Sequence, residues 1–205
     1  MQMKKKAIVL FLTFIMVLSS TAISARAYIY YDPKHCINEM ITFIPHSGFG
    51  ATTISHMNEA LYQWNKAVGK SIVSRSPTER HSKTGYPSKD GKSLIYREKF
   101  PESKRYAVAE TSTYTKWFSD FKKSETVSES DIGINMSHKF ANSGIAGYYD
   151  VWTIFLHESG HTVGLKDVDD PSVVMYKEAE TQILRRTLQP DDIRGAVCLY
   201  QYYAE

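Results

Sequence analysis

The clearest periodic signal in the chain lies between residues 54 and 68. Ile54, Met57, Leu61, Trp64 and Val68 recur at spacings of 3, 4, 3 and 4, which builds one apolar stripe along a helix. Thr52 or Thr53 can cap its start, and Gly69 can close it in the left-handed conformation. Glu39–Pro45, Ser71–Arg75, Ser93–Phe100, Tyr106–Tyr114 and Asp131–Met136 have the composition or alternation of strands. In the fourth of these, Tyr106, Val108 and Glu110 face one way and Ala107, Ala109 and Thr111 the other. Residues 69–92, rich in Ser, Thr, Lys, Gly and Pro, read as a loop around the short strand at 71–75. Trp117–Lys123 reads as a short helical turn. A second long helix is predicted from about Asp150 to Val163 and a third from about Pro190 to Tyr202. Pro190 suits the first helical turn, and Asp191 and Asp192 suit the positive end of the helix dipole. Strands first and helices last, with one helix between, predict an α+β domain.

The beginning of the chain departs from this pattern. Met1–Lys6 carries three lysines, Ala7–Leu18 is apolar, and the stretch to Ala27 is small and polar, ending Ala25-Arg26-Ala27. That order is expected of a secretory signal peptide over residues 1–27, with one domain over 28–205. The apolar run is shorter than the ~20 residues that span a bilayer, so no stable membrane association is expected once the leader is removed. A retained leader that tethers the protein is the alternative. The leader also changes the charge. It holds four of the 25 basic residues and none of the 22 acids. The remaining balance is 21 against 22, which offers nothing to a nucleic acid. Residues 66–105 are locally basic, with 11 basic and 4 acidic side chains. They read as a solvated loop region or as a surface for an acidic polymer. The two cysteines, Cys36 and Cys198, lie in the exported part, where an oxidising compartment favours a disulfide joining the ends of the domain.

The segment His157-Glu158-Ser159-Gly160-His161-Thr162-Val163-Gly164-Leu165-Lys166-Asp167 carries the chemistry. Helical positions four apart share a face, so His157 and His161 can aim ring nitrogens at one point. Glu158 projects beside that point without occupying it, where a general base belongs. A catalytic zinc needs a third protein ligand and an open fourth position. Gly164 can end the helix and turn the chain back, so that Asp167 arrives as that ligand, with Asp169 and Asp170 as competitors. The run before His157 is apolar (Val151, Trp152, Ile154, Phe155, Leu156), so the histidines of a buried helix need a polar reason to be there.

These residues resemble the metzincin clan of zinc endopeptidases, and within it the matrixins, especially compact bacterial ones. The motif His-Glu-x-x-His-x-x-Gly-x-x-His/Asp is present with aspartate in third place. Asp170-Pro171-Ser172-Val173-Val174-Met175-Tyr176 resembles the clan's Met-turn, and Leu188–Tyr200 its closing helix. Asp131-Ile132-Gly133-Ile134-Asn135 and Tyr149-Asp150 are weaker matches. The resemblance implies a zincin-like catalytic domain with a twisted, mostly parallel sheet, an active-site helix, a Met-turn and a C-terminal helix. It implies substrate along one antiparallel edge strand, for which Tyr106–Thr113 is the candidate. It also implies Met175 beneath the metal and Tyr176 at the wall of the substrate pocket. Asp191 or Asp192 would receive the new N-terminal ammonium, or simply cap the helix. The family's structural zinc and calcium sites have no clear counterpart, His81 and Asp90 being candidate remnants; calcium is otherwise unsupported. The signal peptide leads almost directly into the domain, without a cysteine-switch propeptide. The expectation is a secreted, monomeric zinc endopeptidase in which a zinc-bound water and Glu158 hydrolyse peptide bonds of extracellular proteins. A secreted binding module with a structural or vestigial zinc is the competing reading.

Overall fold

A computed structural model describes residues 28–30, 36, 37, 39–117 and 125–202. The leader expectation lies outside them. Elements follow the chain as β1 (Ile29–Tyr30), β2 (Ile41–Pro45), α1 (Ala51–Val68), β3 (Val73–Arg75), β4 (Ser93–Glu98), β5 (Ala109–Trp117), β6 (Glu125–Asn135), β7 (Phe140–Ala141), β8 (Tyr149–Asp150), α2 (Val151–Val163), β9 (Leu165–Lys166) and α3 (Pro190–Tyr202). Five strands form one sheet in the order β3-β2-β4-β6-β5. The first four run parallel, and β5 lies antiparallel to β6 at the edge. This is the α+β architecture that the segment order predicts.

The stripe on α1 is a core face. Ile54, Met57, Leu61 and Trp64 are buried, and Val68 packs against the same core from its rim. Trp64 sits wholly inside and still satisfies its indole, donating Nε1–H to the Leu156 carbonyl at 3.0 Å and to Ser159 Oγ at 3.1 Å. These bonds fix α1 against α2. Gly69 closes α1 at φ 70°, as expected, but Gly50 rather than a threonine stands at its N-cap. Thr53 is the third residue of the helix, within its first turn, and bonds Asn142 Oδ1 at 3.2 Å instead.

The edge strand starts three residues later than Tyr106. Pro101 leads a single 3-10 turn over Glu102–Lys104, and Ala107 N–H still bonds Lys104 O at 3.0 Å. Those bonds hold residues 101–107 out of the sheet. The strand then runs to Trp117, where a helical turn is predicted; the rest of that segment, 118–123, lies outside the described residues. Among the described residues no helix is long and apolar enough to cross a membrane.

An ion pair anchors the start of α2. Asp150 is its N-cap, accepting from Thr153 N–H at 2.8 Å, and its carboxylate also meets Arg186 Nε at 3.0 Å. Burial works against ionising Asp150, but Arg186 and Thr153 outweigh it and hold the carboxyl below its ordinary range. The unfolded carboxyl takes up protons at higher pH than the folded one. This stabilisation is therefore present above pH ~4 and is lost as the pH falls further. Arg186→Met should cost about 3 kcal/mol in urea unfolding at pH 7, because it strands a buried carboxylate. The figure sits at the low end for a broken buried pair, since Arg186 keeps 25% of its side chain in solvent. The deficit relative to the parent should shrink below pH 4.

Candidate metal centre

Helix α2 carries His157 and His161 on one face, one turn apart. Gly164 ends it at φ 112°, its N–H reaching back to the carbonyls of Gly160 and His161. That left-handed residue is unstrained only as glycine. The chain then forms β9, held antiparallel to β1, and returns Asp167 to the histidines. Asp167 Oδ1 lies 3.1 Å from His157 Nε2 and 3.5 Å from His161 Nε2. One ligand atom from each of the three residues falls within 4.8 Å of the others. Asp169 and Asp170 are engaged elsewhere. Asp169 pairs with Lys177 at 2.6 Å, and Asp170 accepts from Ser172 N–H at 2.8 Å.

The other ring nitrogens decide what the cluster presents. His157 Nδ1 lies 2.9 Å from the Val174 carbonyl and His161 Nδ1 lies 2.9 Å from the Leu165 carbonyl. A carbonyl only accepts, so both Nδ1 atoms carry the proton and both Nε2 lone pairs face Asp167. Two lone pairs and a carboxylate turned on one point suit a cation. The local field is negative and favours a positive charge at this point, whether a proton or a metal ion. Burial opposes charging His157, yet Asp167 and Glu158 nearby and the Val174 carbonyl raise its pKa overall. Burial likewise opposes ionising Asp167, yet the two imidazoles lower its pKa overall. The donor set fits a divalent zinc ion, which takes imidazole nitrogen and carboxylate oxygen. Glu158, next along the helix, is 6% exposed and accepts a 2.6 Å bond from Thr111 Oγ1 on β5. The cluster opens onto a cleft of about 680 Å³ bordered by β5, Ile154, Val174, Tyr176 and Arg185.

A family model described as Matrixin matches residues 53–201. The chain belongs to the matrixin family. Its domain is thus of the zinc metallopeptidase type, as the resemblance implies. No curated protein matches the chain significantly.

The segment that resembles the matrixin Met-turn follows β9. Val168 N–H bonds Met175 O at 2.9 Å, and Lys177 N–H bonds Val168 O at 3.0 Å, so the turn is laced to the strand beside Asp167. Met175 is 2% exposed and lies beneath α2, against the Cα of Gly160. The glycine between the two histidines is therefore a packing residue. A Cβ there would overlap Met175 Sδ and stand 2.8 Å from the Trp64 ring. Gly160→Ala should gain ~1 kcal/mol in helix propensity and lose about 2–3 kcal/mol to overpacking. Met175 can swing away but the buried Trp64 cannot. The expected net result is a lower melting temperature, and an unchanged or raised one would refute this packing role.

Two residues that the sequence left without a firm role act on this matrixin site. Asp192 on α3, 2% exposed, accepts from Val174 N–H at 3.1 Å, Met175 N–H at 3.2 Å and Gln189 N–H at 2.8 Å. It thus holds the peptide whose carbonyl orients His157. Helix capping is part of its role, through Gln189; its neighbour Asp191 pairs with Arg194 at 2.7 Å. Thr111 is the second, through its bond to Glu158. An acid after Pro190 and a threonine in a strand carry no sequence signal for either task. Tyr176 borders the cleft, with the Arg185 guanidinium 5.0 Å from its ring centre.

The expected disulfide is not formed. Cys36 Sγ donates to the Leu199 carbonyl at 3.2 Å, and Cys198 Sγ lies 3.2 Å from Tyr28 Oη. Cys36 meets the backbone of α3 one residue past Cys198, whose side chain leaves the helix toward β1. The two thiols therefore serve different contacts at the same helix. Burial pushes the Cys36 thiol up to about 11, so at neutral pH it stays protonated and able to donate. His81 and Asp90 do not form a second site either. His81 Nε2 bonds the Ile95 carbonyl at 3.0 Å and Asp90 pairs with Lys83.

Proposed function

We propose that this matrixin is a secreted, monomeric zinc endopeptidase that acts on extracellular proteins or peptides. The observation that carries the reading is the convergence of His157 Nε2, His161 Nε2 and Asp167 Oδ1, with Glu158 left beside them. His157, His161 and Asp167 would hold the zinc. Bound there, zinc would lower the pKa of a water toward ~7 and polarise the scissile carbonyl. Substrate would lie along the open side of β5, where main-chain groups of an edge strand can pair with an extended peptide. Glu158 takes the proton of the attacking water and delivers it to the departing amine. Its burial beside the cleft keeps that proton out of bulk solvent. The side chain next to the scissile bond would enter the space beside Tyr176, with Met175 supporting the site from below.

A closed structural zinc site would need a fourth protein ligand. Among the described residues the cluster has three ligands, and a structural site gives Glu158 no task. The test is zinc quantification on the purified protein with cleavage of a peptide library, with and without chelator. One zinc per chain and chelator-sensitive endoproteolysis are expected; bound zinc without cleavage would overturn the enzyme reading. Residues 1–27 would be removed on export, giving a secreted protein that begins at or near Tyr28. A secreted mass that includes the leader would refute this.

A further inference from the structure

We propose that Thr111 is a positioning residue: its hydroxyl on the edge strand fixes the rotation of the Glu158 carboxylate. The inference rests on the reading of Glu158 as the base. Thr111 Oγ1 lies 2.6 Å from Glu158 Oε2 and 3.0 Å from the Glu158 carbonyl. A hydroxyl has one proton, and the shorter contact to the charged oxygen takes it. Among the described residues no other group donates to this carboxylate. Glu158 is 6% exposed, so water does little to hold it.

The need for such a tether follows from the side chain itself. The last torsion of glutamate is a broad sp³–sp² rotor with no sharp minimum. Left alone, a carboxylate exchanges its two oxygens and swings through a wide arc. Proton transfer needs one oxygen held in line, and an error near 1 Å costs on the order of 10²-fold in rate. A bond to Oε2 leaves Oε1 as the oxygen that meets the proton. Thr111 can do this because β5 alternates. It sits opposite Ile132 in the register and faces α2, while its neighbour Ser112 turns to the other side of the sheet and bonds Tyr86 Oη at 3.1 Å. A second hydroxyl contact fixes the same pair of elements. Ser130 Oγ on β6 lies 2.7 Å from Thr162 Oγ1, one helical turn beyond Glu158. The helix is thus registered on the sheet at two points. The strand that would take the substrate is also the strand that aims the base.

Thr111→Val keeps the shape, the branched Cβ and the strand preference and removes only the hydroxyl. Zinc content should stay at the parent value, and the melting temperature should fall by a few degrees, because a buried carboxylate loses a donor. kcat should fall roughly tenfold with KM within about twofold, as expected for a misaimed base rather than a damaged binding site. Thr111→Ser should restore most of the loss. High-resolution crystal structures of the zinc-loaded parent and valine variant provide a readout independent of turnover. The Glu158 carboxylate should be singly placed in the parent and rotated or split between conformers in the variant. Parent-level kcat in Thr111→Val, or an unmoved carboxylate, would overturn the proposal. If the parent cleaves no peptide, the endopeptidase reading falls, while the crystallographic comparison still decides whether Thr111 sets the carboxylate.

Discussion

Glu158→Gln is expected to reduce peptide hydrolysis by at least 10²–10⁴-fold, the usual scale of a positioned general base, with zinc still bound at one per chain. Glutamine has nearly the same volume and can still accept from Thr111 through its carbonyl oxygen. Packing beside α2 should therefore survive, and only the capacity to take a proton is removed. The three groups that would hold the ion are untouched by this change, since Glu158 contributes none of the converging atoms. The measurements are kcat/KM on a cleaved peptide and elemental analysis of the same sample. Activity within tenfold of the parent would remove Glu158 from its role. Loss of zinc alongside loss of activity would instead make it part of the metal's support.

His161→Ala should have the second large effect, abolishing both zinc retention and turnover. The imidazole does two things at once: Nε2 faces Asp167 and Nδ1 bonds the Leu165 carbonyl at 2.9 Å. Its removal deletes a donor and loosens β9, which delivers Asp167. Melting temperature in the presence and absence of chelator separates the two. An ion bound only to the folded state stabilises by RT ln(1 + [L]/Kd), about 4 kcal/mol at a thousandfold excess over Kd. The parent should therefore melt several degrees lower with chelator, and the variant should show no response. A variant that still binds one zinc and still responds to chelator would show that His161 is not a ligand.

Both results concern residues that were legible in the sequence, and the reason is local. A helix fixes positions 157, 158 and 161 relative to one another within one turn, so spacing alone specifies their mutual geometry. Gly164 extends that reach by three residues, because its left-handed conformation is a backbone property that a single residue type announces. The helix stripe at 54–68 and the closing helix at 190–202 were readable for the same reason. The strands were readable as segments but less so in their limits. β5 begins at Ala109 rather than Tyr106 because a 3-10 turn holds back the residues before it.

The chain by itself determined the α+β order, the active-site helix and the set of side chains that converge at its end. Only the tertiary structure decided what supports them. Gly160 carries no reading of its own in the motif, and its role appears only where Met175 and Trp64 close over it. Asp192 reads as a helix cap or a receiver of the N-terminal ammonium until its carboxylate collects the amides of Val174 and Met175. Thr111 reads as one strand residue among several until the edge of the sheet lays it against Glu158. Cys36 and Cys198 read as a pair until each thiol takes its own partner, the Leu199 carbonyl for one and Tyr28 for the other. The division has one physical cause. Contacts within a helical turn follow from backbone geometry that every chain shares, whereas contacts between elements far apart in sequence depend on how whole faces pack, and no short pattern encodes that.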